Sequence, residues 1–142
     1  RNEELQILRR MSKTGAKFDI QPVTSPQEIM AARELVDQVY VAEKIEDYIV
    51  DLVMATRNPE AYGLKLKDLI QFGGSPRATI NLALAAKANA FLAGRGYVVP
   101  QDVKDLALDV LRHRVVITYE AEAEDRTSES IVTEILNHIP VP

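Results

Sequence analysis

The segment Gly73-Gly74-Ser75-Pro76-Arg77-Ala78, a glycine turn opening straight into an alanine-rich run, most constrains what this chain can fold into. Two glycines let the backbone turn without steric cost. Ser75 stands where it can cap a helix, and Pro76 fits the first helical position, where an N–H is not needed. A helix running from Pro76 toward Ala93 follows, with Ile80, Leu84, Ala88, Phe91 and Leu92 expected as its apolar stripe. Its alanines favour helix and allow close packing. Arg77 is the anomaly. It falls in the first turn, where unpaired N–H groups and the dipole favour an anion. A cation there makes sense if something anionic, such as a phosphate, docks at that end. An arginine that snorkels along the bundle or pairs with a carboxylate is the other reading of the same spacing.

Helical periodicity recurs along the chain. Glu3 to Met11 places Leu5, Leu8 and Met11 on one face, and Gly15 to Val23 reads as a connection. Ser25-Pro26-Gln27-Glu28 has the spacing of a capping box. The helix after it is expected to bury Ile29, Ala32, Leu35, Val36 and Val39. Val39-Tyr40-Val41 favours an extended break. Glu43 to Arg57 is a helix with Ile45, Ile49, Leu52, Val53 and Thr56 on one face, and Asn58-Pro59 ends it. Tyr62 to Phe72 is the least regular part.

Gly94-Arg95-Gly96 stops the alanine-rich helix, and Tyr97-Val98-Val99 is a short extended piece. Pro100-Gln101-Asp102 opens a helix with Val103, Leu106, Ala107, Val110 and Leu111 inward. Arg112-His113-Arg114 suits the dipole of its last turn. Val115 to Ile117 reads as extended and Glu120 to Asp125 as an acidic, solvated loop. Thr127 to His138 is a final helix burying Ile131, Ile135 and Leu136. The sum is a mostly α protein, a bundle of about six helices with short extended segments.

The 142 residues suffice for one domain with a real core, and 46% hydrophobic with 27% charged residues is ordinary for a soluble globular protein. No apolar run approaches a membrane span, and the first twenty or so residues lack the pattern of a signal peptide. The absence of cysteine excludes disulfides and thiolate metal sites and fits a cytoplasmic protein. A net charge of −4 argues against a general nucleic-acid binder. The opening at Arg1, inside an apparently helical segment, reads as a domain cut from a longer chain.

Chemistry-bearing patterns are missing. There is no Walker phosphate loop and no GxGxxG turn. His113 and His138 have no Cys or His partner at metal-ligand spacing, so no metal site is expected. Ser75 has no adjacent base, and Glu46-Asp47 lies on a solvated helix face. Tyr48 reads as a core tyrosine or as a flat contact for an aromatic base. A hydrogen bond to a charged partner contributes about 1.5–3 kcal/mol. Millimolar affinity already requires about 4 kcal/mol. Arg77 alone therefore cannot hold a nucleotide; it can complete a site built elsewhere.

Taken in order, Gly73 to Ala78, Gly94 to Val103 and Val110 to Arg114 resemble the C-terminal lid of MoxR-family AAA+ ATPases, as do Tyr48 to Arg57 and Ile135 to Pro142. The resemblance covers nearly all of residues 1–142. It implies an upstream AAA+ core that binds ATP and Mg, with this piece folding over the nucleotide and binding none by itself. Arg77 matches the sensor-two arginine, a catalytic role exercised only with that core. Tyr48 and Ile49 match positions near the adenine, and Ala78 is small enough for close approach to the nucleotide. The resemblance further implies neighbouring subunits in a hexameric ring and a partner with a von Willebrand A domain. It also implies chaperone-like maturation of proteins such as methanol dehydrogenase, with no membrane or nucleic-acid partner. Family members often carry Ala where Gly74 stands, which implies a softer turn here. The alternative reading of the residues is a helical protein–protein or DNA-binding adaptor without nucleotide chemistry.

Overall fold

The computed structural model describes residues 1–12, 14 and 20–142, which divide into two compact units, Arg1–Ala31 and Ala32–Pro142. In the first unit, helix α1 (Asn2–Met11) carries Glu3 and Glu4 in its first turn and Arg9 and Arg10 in its last, as its dipole favours. Its apolar face of Leu5, Leu8 and Met11 is exposed. Of the connection read from Gly15 to Val23, residues 15–19 lie outside the described residues.

Helix α2 (Pro26–Asp37) begins in the first unit and ends in the second. Its capping box forms as expected: Ser25 Oγ accepts the Glu28 N–H at 3.2 Å, and Glu28 Oε2 accepts the Ser25 N–H at 2.7 Å. The expected burial does not follow, since Ile29 and Leu35 are 52% and 51% exposed and no residue of α2 is buried. Periodicity marks which side of a helix is apolar without saying what covers it. Val39, beyond the helix end, is buried.

The second unit is built on helices α3 (Glu43–Arg57), α4 (Pro76–Leu92), α5 (Pro100–Leu111) and, after the short α6 (Tyr119–Ala123), α7 (Ser128–His138). Leu52, Val53, Leu82, Val103, Leu111, Ile131 and Ile135 make the centre of its core. Tyr40 forms a parallel bridge with Tyr97, so both expected extended pieces meet each other. Strands β1 (Ile70–Phe72) and β2 (Val116–Ile117) pair antiparallel, Ile70 opposite Ile117 and Phe72 opposite Val116, with an irregular register between them. One turn of 3₁₀ helix at Lys67–Leu69 leads into β1.

Two expectations need correction. Helix α4 turns Ala78, Leu82, Ala86 and Ala90 inward, while Ile80, Leu84 and Leu92 are exposed. The helix is apolar around most of its circumference, so periodicity does not choose a face. Small side chains choose it, because they let α4 lie close against α5, its most extensive neighbour. The acidic run is also not a plain loop: Thr118 Oγ1 accepts the Ala121 N–H and starts α6, whose Ala121 is fully buried. With α6 included there are seven α-helices among the described residues, not six.

Candidate functional site

The Gly73–Ala78 turn is fixed from the α3 side. Thr56, in the last turn of α3, is 1% exposed. Its hydroxyl donates to the Val53 carbonyl at 2.6 Å and accepts the Gly74 N–H at 2.8 Å. Gly73 lies so close to the Thr56–Arg57 peptide that an added Cβ would overlap the Thr56 carbonyl. The need for glycine at 73 is thus close approach of two backbones. At Gly74 an added Cβ would meet Ala78 Cβ at 3.2 Å, a tight contact rather than an overlap.

Ser75 is extended (φ −77°, ψ 171°) and occupies the N-cap of α4, with Pro76 at the first helical position. Contrary to the sequence expectation, the Ser75 side chain makes no capping hydrogen bond; its carbonyl accepts the Ala78 N–H at 2.8 Å. Thr56 satisfies the backbone one residue earlier instead. The side chain of Arg77 is exposed and makes no hydrogen bond or ion pair with the described residues. Its charge is therefore not neutralised by a carboxylate among the described residues.

The other candidate residues are placed differently. Ala78 is fully buried beneath the turn. Tyr48 and Ile49 are 2% and 1% exposed, inside the core rather than on a face. Tyr48 sits eight residues before Thr56 on α3, roughly 12 Å along the axis. Its buried hydroxyl has no hydrogen-bond partner among the described residues, and burial raises its pKa. It borders a shallow 230 Å³ recess with Lys44, Asp47, Asp51 and Pro140 to Pro142. The fold therefore joins Arg77 and Ala78 in one turn, braced by α3, and sets Tyr48 and Ile49 two turns away along that helix.

The opposite end of α4 holds a second arginine. Gly94 takes the left-handed conformation (φ +72°) that ends the helix. Arg95 Nη1 then donates to Asp102 Oδ2 at 2.8 Å and to the Tyr97 carbonyl at 3.0 Å. Asp102, 2% exposed, also accepts from Asn89 Nδ2 at 2.9 Å and from the Val99 N–H at 2.8 Å. Hydrogen bonds from Arg95, foremost, hold its carboxyl below the usual range. The same turn carries the bridge to Tyr40, whose N–H donates to the Gly96 carbonyl at 3.0 Å. Arg112 of the Arg-His-Arg run pairs with Asp109 at 2.8 Å and Glu129 at 3.8 Å, so its charge is balanced. Sequence reading missed Thr56, which looked like one more residue of an apolar face, and the lock between Arg95 and Asp102. The acid at the third position of α5 was the available signal for the lock.

Among the described residues no group of three or more His, Asp or Glu side chains is placed to hold a metal, and no helix is long and apolar enough to cross a membrane. The site offers one uncompensated guanidinium at a helix start, in a turn anchored on the neighbouring helix. That can stabilise an anion.

This arrangement belongs to a known class of module: residues 66–135 match the family model described as the AAA lid domain. Chaperone MoxR1 of Mycobacterium tuberculosis is 36% identical over 141 residues, covering 99% of this chain and 37% of that protein. Protein MoxR of Paracoccus denitrificans is 36% identical over 112 residues, covering 72% of this chain and 32% of that protein. A crystal structure of a Cytophaga hutchinsonii protein assigned as an ATPase superimposes with a TM-score of 0.89 at 39% identity, over 99% of this chain and 43% of the other. The chain belongs to the MoxR-family AAA+ ATPases, as their C-terminal lid domain. It spans well under half the length of these relatives.

Proposed function

We propose that this chain is the sensor-two lid of an ATPase, acting with an AAA+ core in the same protein. The observation that carries the reading is Arg77: exposed, unpaired within the described residues, and held at the start of α4 by a turn braced on α3. When bound, ATP supplies the triphosphate charge that such a cation complements. Arg77 stabilises that charge from the lid side, and the N-terminal end of α4 adds its dipole. The buried Ala78 keeps the backbone compact behind it. Tyr48 and Ile49, being buried, act on the adenine side by shaping the surface of α3 rather than by presenting their side chains.

Loss of one charge-assisted contact is of the order needed to bias a two-state lid by a few kcal/mol. Lid rotation would then pass to neighbouring subunits of a ring and on to client proteins, as in chaperone-like maturation of metalloenzymes with a von Willebrand A partner. The protein would work in the cytoplasm. Arg77→Ala in the full-length protein is expected to lower kcat/KM for ATP by about tenfold to a hundredfold, the equivalent of one charged hydrogen bond. Steady-state turnover measures this, and an unchanged value removes the sensor assignment.

A further inference from the structure

Thr56 has a hydroxyl that core packing does not require. The residue is 1% exposed, and Val53 and Ala78, both apolar, flank the Gly74 position beside it. A valine would fill the same volume. The hydroxyl makes one bond common to threonines in helices, to the Val53 carbonyl at 2.6 Å. Its second bond is not local: it accepts the N–H of Gly74, 18 residues on, at 2.8 Å. That N–H is buried and would otherwise be orphaned. Beside it, Gly73 closes directly onto the Thr56–Arg57 peptide. Beyond it, Ser75 contributes no side-chain cap, and Arg77 has no partner of its own within the described residues. The backbone path alone sets where the guanidinium starts, and that path is pinned to α3 at one hydroxyl.

We infer that Thr56 is a positioning residue for Arg77: its hydroxyl clamps the Gly73–Gly74 turn to the end of α3 and so fixes the origin of the arginine side chain. The inference rests on the proposed role of Arg77. It makes α3 and the Arg77 turn move as one piece, so a displacement of α3 reaches the arginine without slack.

The test is a double-mutant cycle on ATP turnover in the full-length protein, with unfolding midpoints and exchange of the Gly74 amide proton measured alongside. Thr56→Ser keeps the hydroxyl and is expected to turn over ATP like the wild type. Thr56→Val is expected to lower kcat about tenfold or more and to speed Gly74 exchange. Adding Arg77→Ala to it is expected to lower kcat no further than Arg77→Ala does alone. Gly73→Ala, which pushes the turn off α3 from the other side, is expected to show the same non-additivity and serves if the valine variant is too unstable to assay. Wild-type turnover in Thr56→Val, beside a loss in Arg77→Ala, overturns the clamp and leaves the arginine's role standing. Losses that multiply in the double variant place Thr56 in some other task and also overturn it. Wild-type turnover in Arg77→Ala removes the sensor reading itself, and the clamp's purpose with it.

Discussion

The two ends of α4 each carry an arginine beside a glycine turn, and the two arginines are used in opposite ways. Arg95, at the C-terminal end, is spent on the fold: it grips the buried Asp102, which also receives Asn89 and the Val99 N–H. Arg77, at the N-terminal end, has no hydrogen bond or ion pair from its side chain to the described residues, while the turn beneath it is anchored by Thr56 and by the close approach of Gly73. A paired charge at a helix end is a structural part. An unpaired charge on a braced turn is a presented one. The difference lies in the partners, not in the residue type or its neighbouring glycines.

Asp102→Ala should show the largest effect on stability. It strands the Arg95 guanidinium and removes the acceptor for the Val99 N–H at the start of α5. A loss of about 3 kcal/mol in denaturant unfolding is expected. Gly73→Ala comes next, because the new methyl overlaps the Thr56 carbonyl and one backbone must shift. About 2 kcal/mol is expected, read the same way.

A smaller effect separates the two ends by pH. The folded carboxyl of Asp102 titrates below its ordinary value of 3.8, so the stability it contributes is complete above that pH and is lost as pH falls through the lowered value. Melting curves of wild type and Asp102→Asn should differ at neutral pH and converge as the solution is acidified below 3.8. Arg77→Ala should change stability least, by about 0.5 kcal/mol or less, because its exposed side chain has no hydrogen bond or ion pair with the described residues to lose. A stability loss as large as that of Asp102→Ala would show that Arg77 is a structural arginine after all.

The same contrast shows what the sequence could reveal. Helix α3 runs from Glu43 to Arg57 as read, because its periodicity is clear and Asn58-Pro59 ends it. The Ser25–Glu28 box formed because a short-range motif carries its own hydrogen bonds. The face of α4 was not legible: Ile80 and Leu84 fit a stripe as well as Ala78, Leu82 and Ala86 do, and close packing with α5 favoured the small residues. Helix α6 was hidden by its acidic surface, since only Ala121 in it is buried.

At the site, Arg77 stood out because it conflicts with the dipole of its own helix, a local signal. Ser75 carried the motif of a cap without performing it. Thr56, which holds the turn, lies 18 residues earlier in sequence than its partner, and no local pattern reports such a bond. Tyr48 and Ile49 fell on the buried face of α3, where helical spacing had placed Ile49 from the start.

The most direct test of the account is a pair of measurements on Arg77→Ala in the full-length protein: the unfolding midpoint and the rate of ATP turnover. The account expects the midpoint to match the wild type while turnover falls tenfold or more. Wild-type turnover, or a turnover loss matched by an equal loss of fold, would contradict it.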